Sequence, residues 1–339
     1  MYNKLIPHNR PSLTLNDSKY VSNIFKSNIL VNGSNIQKFE DEFCNYIGLP
    51  NGHAIAVSSG TSALYLSLWA LNLSKKTIAI PAYSCTALRN AVKMNNSKIA
   101  YVDNEIDSPN LNINELNLLN TDGCIVPHMF GIPIDILKIK YKVIIEDCCQ
   151  SLGALYNGKK LGLFGDVGVF SFYATKLITS GGHGGMIISK NKTNIEKIRD
   201  YIAFDMKNDK INRFNFQITE LQAAVGRSQL KKLDKFLLRR EEIFKMYEEA
   251  GLNLQKSKSK NAKQVYYRAV MKTNDANFLI KSLNESNIRA INPVTKDELL
   301  AKKKNCIKYC STSVSLPIYP SLTNNEVKKI INIIKQVIN

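Results

Sequence analysis

HAIAVSSGTSALYLSLWALNL (53–73) runs, after only Ser74-Lys75-Lys76, into TIAIPAYSCTALRNAVKM (77–94), and the two stretches together decide the fold. Each opens on a short apolar run and passes into a longer segment with helical spacing. HAIAVSS (53–59) and TIAIPAY (77–83) are predicted strands; TSALYLSLWALNL (61–73) and CTALRNAVKM (85–94) are predicted helices. Further strands fall at KIAYVD (98–103), GCIVPHM (123–129), KVIIED (142–147), VGVFSFY (167–173) and GGMIIS (184–189). Strands alternating with helices predict an α/β fold whose mostly parallel sheet is covered on both faces. In such sheets ligands bind beyond the carboxyl ends of the strands.

Upstream, residues 14–28 read as a helix capped by Thr14 or Asn16, and 35–47 as a second helix with Ile36, Phe39, Phe43 and Ile47 on one face. From about Asn191 the pattern turns helical. Residues 218–250 read as one or two long helices with a stripe through Leu221, Val225, Leu230, Leu233, Phe236 and Leu237. A smaller α+β unit comes next, with a strand at 264–272, a helix at 277–286 and a terminal helix at 324–338. The expected division is a large domain at 1–245 and a small C-terminal domain at 246–339.

Composition narrows the function classes. Of 339 residues, 44% are hydrophobic and 22% charged, the balance of a globular chain with a sizeable core. No apolar run approaches the roughly 20 residues that span a bilayer, and MYNKLIPHNRPSL lacks the apolar core of a secretory signal. A cytoplasmic protein without a membrane partner is expected. The seven cysteines show no metal-ligand spacing, so reduced thiols and no metal are expected. The net charge of +18 admits nucleic-acid or membrane-surface binding, a biased composition rich in Lys, Asn and Ile, or attraction for phosphate-bearing substrates. No basic run is interleaved with base-stacking aromatics, so nucleic acid is not an expected partner.

Three segments carry chemistry. Ser58-Ser59-Gly60-Thr61-Ser62 lies between a strand and a helix, where free N–H groups and the helix dipole suit a phosphate; it also reads as a plain helix cap. Glu146-Asp147-Cys148-Cys149-Gln150 ends the strand KVII. A carboxylate there needs a cationic partner, and a protonated pyridinium nitrogen is one, though Asp147 also reads as the cap of a helix after the strand. Gly168 through Lys176 ends in a lysine entering the Gly-rich stretch 181–185. A Schiff-base lysine needs that setting, because it must reach an aldehyde and be neutral for part of the cycle; a surface loop lysine is the alternative.

In order and spacing the three segments resemble the DegT/DnrJ/EryC1/StrS family of pyridoxal-phosphate (PLP)-dependent sugar aminotransferases. The resemblance extends through FEDEF (39–43), IPAYSCTALRNAV (80–92), PHMFG (127–131), NFQITELQAAVGRSQL (215–230) and SLPIYPSLT (315–323). It implies the aspartate aminotransferase-like fold (fold type I) and PLP as cofactor. By position, Lys176 would carry the cofactor and move the proton. Asp147 would pair with the pyridine nitrogen, and Gln150 would lie beside the ring near its 3-oxygen. Gly60, Thr61 and Ser171 would bind the phosphate, with Ser62 offering a further hydroxyl. Asn215 matches a residue that reaches the neighbouring subunit's cofactor phosphate, which implies a homodimer with shared active sites. The implied reaction moves an amino group, from glutamate as donor, to a keto-deoxysugar nucleotide for surface glycan biosynthesis.

Several positions depart from the family pattern. Cys85 stands where relatives carry an aromatic residue that stacks on the ring, leaving Cys85 or a displaced Tyr83 to face it. The Gly-rich stretch lacks the usual Glu and has Gly182-His183 in its place, and Gln217 stands where Arg is frequent. NIRAINPVTKDELL (287–300) lacks a His-Tyr signature that touches sugar recognition. His128 and His183 are candidate site histidines, His128 equally a packing residue. A non-sugar keto acceptor, the family's dehydratase branch and a non-catalytic relative stay open. The dehydratases replace the Schiff-base lysine with His, which Lys176 opposes.

Overall fold

The computed structural model describes residues 5–338; the first four residues of MYNKLIPHNRPSL lie outside it. Helices α1 (Leu15–Ser27) and α2 (Ser34–Ile47) lead into β1 (Ala54–Val57), α3 (Gly60–Ala70), β2 (Thr77–Pro81), α4 (Thr86–Met94), β3 (Lys98–Val102), α5 (Ile113–Leu118), β4 (Gly123–Pro127) and β5 (Ile144–Asp147). A short hairpin, β6 (Leu155–Tyr156) and β7 (Lys159–Lys160), precedes β8 (Val167–Ser171), β9 (Gly185–Ile188) and α6 (Lys192–Ile202). The chain continues through α7 (Glu220–Leu230), α8 (Leu233–Glu249), β10 (Ala262–Lys263), β11 (Ala269–Lys272), α9 (Ala276–Glu285), α10 (Lys304–Ser311), β12 (Ser313–Leu316) and α11 (Asn324–Ile338).

Seven strands form the main sheet in the order β1-β9-β8-β5-β4-β2-β3. β9 runs antiparallel to both of its neighbours, and the other six strands are parallel. Alternate residues of each strand enter different cores. Ile55, Val57, Ile78, Ile80, Ile125, Val167, Val169 and Ile187 pack with α3, α4 and α6. Ala54, Ala56, Ala79, Cys124, Val126, Phe170, Met186 and Ile188 pack with α2 and α7. Both faces are therefore dry, which is why these strands read as unbroken apolar runs. Because the six strands point one way, Val57, Pro81, Pro127, Asp147 and Ser171 end on one edge of the sheet.

The expected elements hold with shorter ends. Thr14 is the cap of α1, and the Asp17 carboxylate accepts from both its N–H (2.7 Å) and its hydroxyl (3.1 Å). Residues 218–250 form two helices, broken at Lys231-Lys232. The expected strand at 264–272 is a strand only over its second half. Val265 and Tyr267 turn back into the first core, and Ala269–Lys272 pairs with β12. α5, α10 and β12 are too short to give a periodic signal and were not expected.

A third core gathers Ile243, Phe244 and Tyr247 of α8 with α9, β11, β12 and α11, and Ile6 from the N-terminus joins it. We propose the division near residue 245 on this packing, with two exchanges across it: Ile6 into the C-terminal unit, and Ala262, Val265 and Tyr267 into the large one. A fourth cluster, Tyr83, Met129, Phe130, Val270, Val294 and Tyr309 among its members, ties the strand ends to that unit. Among the described residues no helix is long and apolar enough to cross a membrane.

Candidate active site

At the edge where the parallel strands end, a cavity of about 320 Å³ opens. Its floor comes from the ends of β4, β5 and β8, and its walls from the start of α3, the segment after β2 and the turn after β8. Gly60, Thr61, Cys85, Asp147, Gln150, Ser171, Lys176 and His183 all line it. Residues far apart in sequence thus meet because the sheet registers their strand ends on one side.

The α3 end of the cavity is shaped for an anion. The Ser59 hydroxyl accepts from the Ser62 N–H (3.0 Å), while the first N–H groups of the helix have no partner within it. Gly60 leaves a cradle: a Cβ there would lie 2.9 Å from Ser171 Cβ and 3.2 Å from both Ser171 Oγ and Cys149 Sγ. Ser62, expected as a phosphate ligand, is buried and does not line the cavity. Its hydroxyl is engaged by Ser58 (3.0 Å) and Ser59 (2.8 Å), so its part is to hold the turn.

Asp147 is 6% exposed at the end of β5. Its Oδ1 accepts from the Cys149 N–H at 3.0 Å, and among the described residues no cation lies within ion-pairing distance of its carboxylate. Gln150 accepts from the Phe130 N–H through Oε1 (2.8 Å), which leaves its amide N–H groups as donors on the cavity wall. Lys176 follows β8 through a turn in which its N–H donates to the Tyr173 carbonyl (2.9 Å). Its Nζ has no carboxylate partner among the described residues and sits 5.2 Å from the centre of the buried Tyr267 ring. Burial works against the Lys176 charge. Tyr267, the Cys149 and Cys85 sulfurs and Asp147 outweigh it, and the ammonium is held above the ordinary lysine value. Cys85 is open to the cavity but recessed from bulk water; that recess and the nearby Asp147 push its thiol up, against the pull of Lys176.

These walls fit PLP. The Gly60 cradle with the α3 N-terminus and the Ser171 hydroxyl suits a phosphate, an unpaired buried carboxylate suits a protonated ring nitrogen, and an amine without an ion pair suits covalent attachment. Of the two residues left to face the ring, one lies on the cavity wall and the other does not. Cys85 stays on the wall, while Tyr83 is fully buried against Phe130 and Tyr309 and does not reach the cavity. Asn215 is exposed, lies off this chain's cavity wall and accepts from the Gln217 N–H (3.1 Å). Tyr267 was not foreseen: QVYYRAVMK reads as a strand, with no spacing that ties it to Lys176.

Beneath the cavity lies a buried polar hub, also unseen in the sequence. Glu146 accepts from the N–H groups of Gly162 (2.8 Å), Phe164 (2.5 Å) and Gly165 (2.6 Å). His128 Nδ1 accepts from the Ile134 N–H (3.1 Å), so its proton sits on Nε2 and points at Glu146 Oε2 (3.2 Å). Cys148 lies beside both, and the three offer ligand atoms within 4.8 Å of one another. The carboxylate and imidazole lone pairs are already committed to N–H donors, so the group reads as a hydrogen-bond hub. His128 thus takes the packing role.

Burial alone would raise the Glu146 carboxyl, but His128 and the backbone donors hold it below its ordinary value of 4.5. The folded pKa being the lower, the stability it contributes is present above the ordinary value and is lost as the pH falls through the folded one. Glu146→Gln places an amide N–H₂ against backbone donors. It should cost about 2–4 kcal/mol at neutral pH and flatten the loss of stability in acid, both read from urea unfolding between about pH 3 and pH 7.

The comparisons with known proteins point the same way. The model of the DegT/DnrJ/EryC1/StrS aminotransferase family matches residues 11–335. GDP-perosamine synthase of Vibrio cholerae is 29% identical, over 99% of this chain and 100% of that protein. UDP-4-amino-4,6-dideoxy-N-acetyl-beta-L-altrosamine transaminase of Campylobacter jejuni is 32% identical, over 72% of this chain and 69% of that protein. The crystal structure of the aminotransferase TlmJ from Streptoalloteichus hindustanus superposes with a TM-score of 0.90 at 21% identity, covering 98% of each chain.

Proposed function

Since the chain belongs to the DegT/DnrJ/EryC1/StrS aminotransferase family, whose members work with PLP, we propose that it carries an amino group from glutamate to the keto group of a nucleotide-linked deoxysugar, for a surface glycan. The observation that carries the reading is that the Lys176 amine, the Asp147 carboxylate and the α3 N-terminus face one cavity. The sugar-nucleotide names of two relatives support the acceptor class.

When bound, the cofactor supplies an electron-withdrawing ring that stabilises negative charge on the carbon next to the transferred nitrogen. Lys176 Nζ would hold it and, when released, would move the proton at that carbon. Asp147 would keep the ring nitrogen protonated; its buried site makes an ionised carboxylate without a cation costly, so it favours a cationic partner. The N–H groups of Gly60 and Thr61 and the Ser171 hydroxyl would bind the phosphate, and Gln150 would donate its amide N–H toward the ring oxygen.

The holoenzyme should be yellow, lose its visible band when glutamate is added, and recover it when a keto-deoxysugar nucleotide is supplied next. Asp147→Ala should cut turnover by several orders of magnitude with the fold intact by circular dichroism. Recovery with simple keto acids other than 2-oxoglutarate, and with no keto-sugar nucleotide, would replace the sugar acceptor. An Asp147→Asn variant near wild type would reduce Asp147 to a cap.

The assembly belongs to the same proposal. Asn215 is exposed, and the segment before α7 also exposes Met206, Ile211 and Phe214, apolar surface that suits a partner. A homodimer in which Asn215 reaches the other chain's phosphate site is the assembly this surface supports. Lys176→Ala and Asn215→Ala, each inactive alone, should when mixed form heterodimers with one doubly damaged and one intact site. Activity should then recover toward half of wild type per mixed dimer; no recovery despite verified exchange would rule out the shared site.

A further inference from the structure

Three rings line the cavity: His128, Tyr173 and His183. Both nitrogens of His128 are committed within the buried hub. Tyr173 is 45% exposed and His183 is exposed, and their centroids lie 5.2 Å apart at 51°. Among the described residues neither the Tyr173 hydroxyl nor the His183 ring nitrogens have a hydrogen-bond partner.

The pair is held in place by its backbone. Gly181 (φ 77°) and Gly182 (φ 143°) adopt conformations that side chains with a Cβ rarely take, and they deliver His183 to the mouth. The Ala174 N–H donates to the Gly182 carbonyl (2.9 Å), and Tyr173 pairs with Gly182 in a parallel bridge. Gln222 Nε2, from the first turn of α7, donates to the His183 carbonyl (3.0 Å). Tyr173 in turn accepts from the Lys176 N–H through its own carbonyl. The backbone thus places the two rings side by side at one corner, one turn from the reactive amine, with apolar faces and free polar edges.

We infer that the Tyr173–His183 corner is the subsite that receives the sugar ring of the acceptor, with the C–H face of the pyranose on Tyr173 and a hydroxyl on a His183 ring nitrogen. The inference rests on the acceptor proposed for this cavity. A substrate whose reacting carbon lies at Lys176 must leave the cavity past its mouth, so the atoms next to that carbon meet these rings first. A pyranose alternates apolar C–H faces with hydroxyl edges, and an aromatic face beside unpaired donors and acceptors is complementary to that alternation. The rest of the wall, Cys85, Ala87, Pro127 and Met129 among it, offers no second ring with a free polar edge.

The test measures binding and the two half-reactions separately on the holoenzyme, for wild type and the Tyr173→Ala, Tyr173→Phe and His183→Ala variants. dTDP-glucose, UDP-N-acetylglucosamine and GDP-mannose serve as binding probes beside the matching nucleoside diphosphates. Both side chains are exposed, so the variants keep the core, which thermal unfolding checks. In Tyr173→Ala and His183→Ala the Kd of the sugar nucleotide that wild type binds should rise about tenfold. The Kd of its nucleoside diphosphate should stay put, and the acceptor half-reaction should lose more than the donor half-reaction. Tyr173→Phe, which keeps the ring, should stay near wild type. Unchanged sugar-nucleotide binding in the alanine variants overturns the inference, and so does an equal weakening of sugar nucleotide and diphosphate, which would place the base on the rings. Equal losses in the two half-reactions overturn it as well. If wild type itself binds none of the probes and accepts no keto-sugar, the acceptor reading falls, an outcome separate from a failure of the ring pair alone.

Discussion

A carboxylate buried in the middle of an apolar sheet is the constraint on which this site depends. Glu146 is fully buried, and an unpaired charge there would be too costly to keep. Three backbone N–H groups from the loop 162–165 before β8, and the His128 imidazole just after β4, satisfy it. The loop leads into β8 and so toward Ser171 and Lys176. His128 ends β4 and leads to Phe130, whose N–H is taken by Gln150. One side chain thus ties the ends of β4 and β5 to the loop before β8, and Asp147 sits next to it in sequence. Successive residues of a strand point to opposite sides, so Glu146 enters the hub while Asp147 turns to the cavity. The neighbours Glu146 and Asp147 thus face two surroundings, the hub and the cavity.

The parallel sheet converts this local order into a site. Six strands running one way bring the ends of β1, β2, β4, β5 and β8 to one edge, where the α3 N-terminus supplies N–H groups and β8 supplies a lysine. β9, the one reversed strand, fits between β1 and β8 with Gly185 paired to both Val57 and Ser171, which keeps the α3 end of the cavity next to the Lys176 end. Around this rigid floor the variable parts are side chains on loops: Cys85 after β2, and Tyr173 and His183 in the turn after β8.

Much of this was legible in the sequence, for physical reasons. Strands dry on both faces must be continuously apolar, so β1, β2, β4, β5, β8 and β9 stood out. Gly60, Asp147, Ser171 and Lys176 sit where those runs stop, and all four line the cavity. What stayed hidden depends on tertiary packing. Ser62 offers the same hydroxyl as its neighbours, and only the fold shows that Ser58 and Ser59 occupy it. The break at Lys231-Lys232 has no Gly or Pro to mark it. Tyr267 reaches Lys176 because the strand expected from residue 264 begins only at Ala269, which leaves Tyr267 outside it. His128, Glu146 and Cys148 come together from adjacent parallel strands, a neighbourhood that spacing along the chain does not encode.

The central claim is that Lys176 carries the cofactor in this cavity. Borohydride reduction of the holoenzyme, with proteolysis and mass spectrometry after it, tests it most directly. The reduced cofactor should be found on the peptide containing Lys176, and Lys176→Ala protein treated in the same way should carry none. Reduced cofactor on any other lysine, or retained by the Lys176→Ala protein, would contradict it.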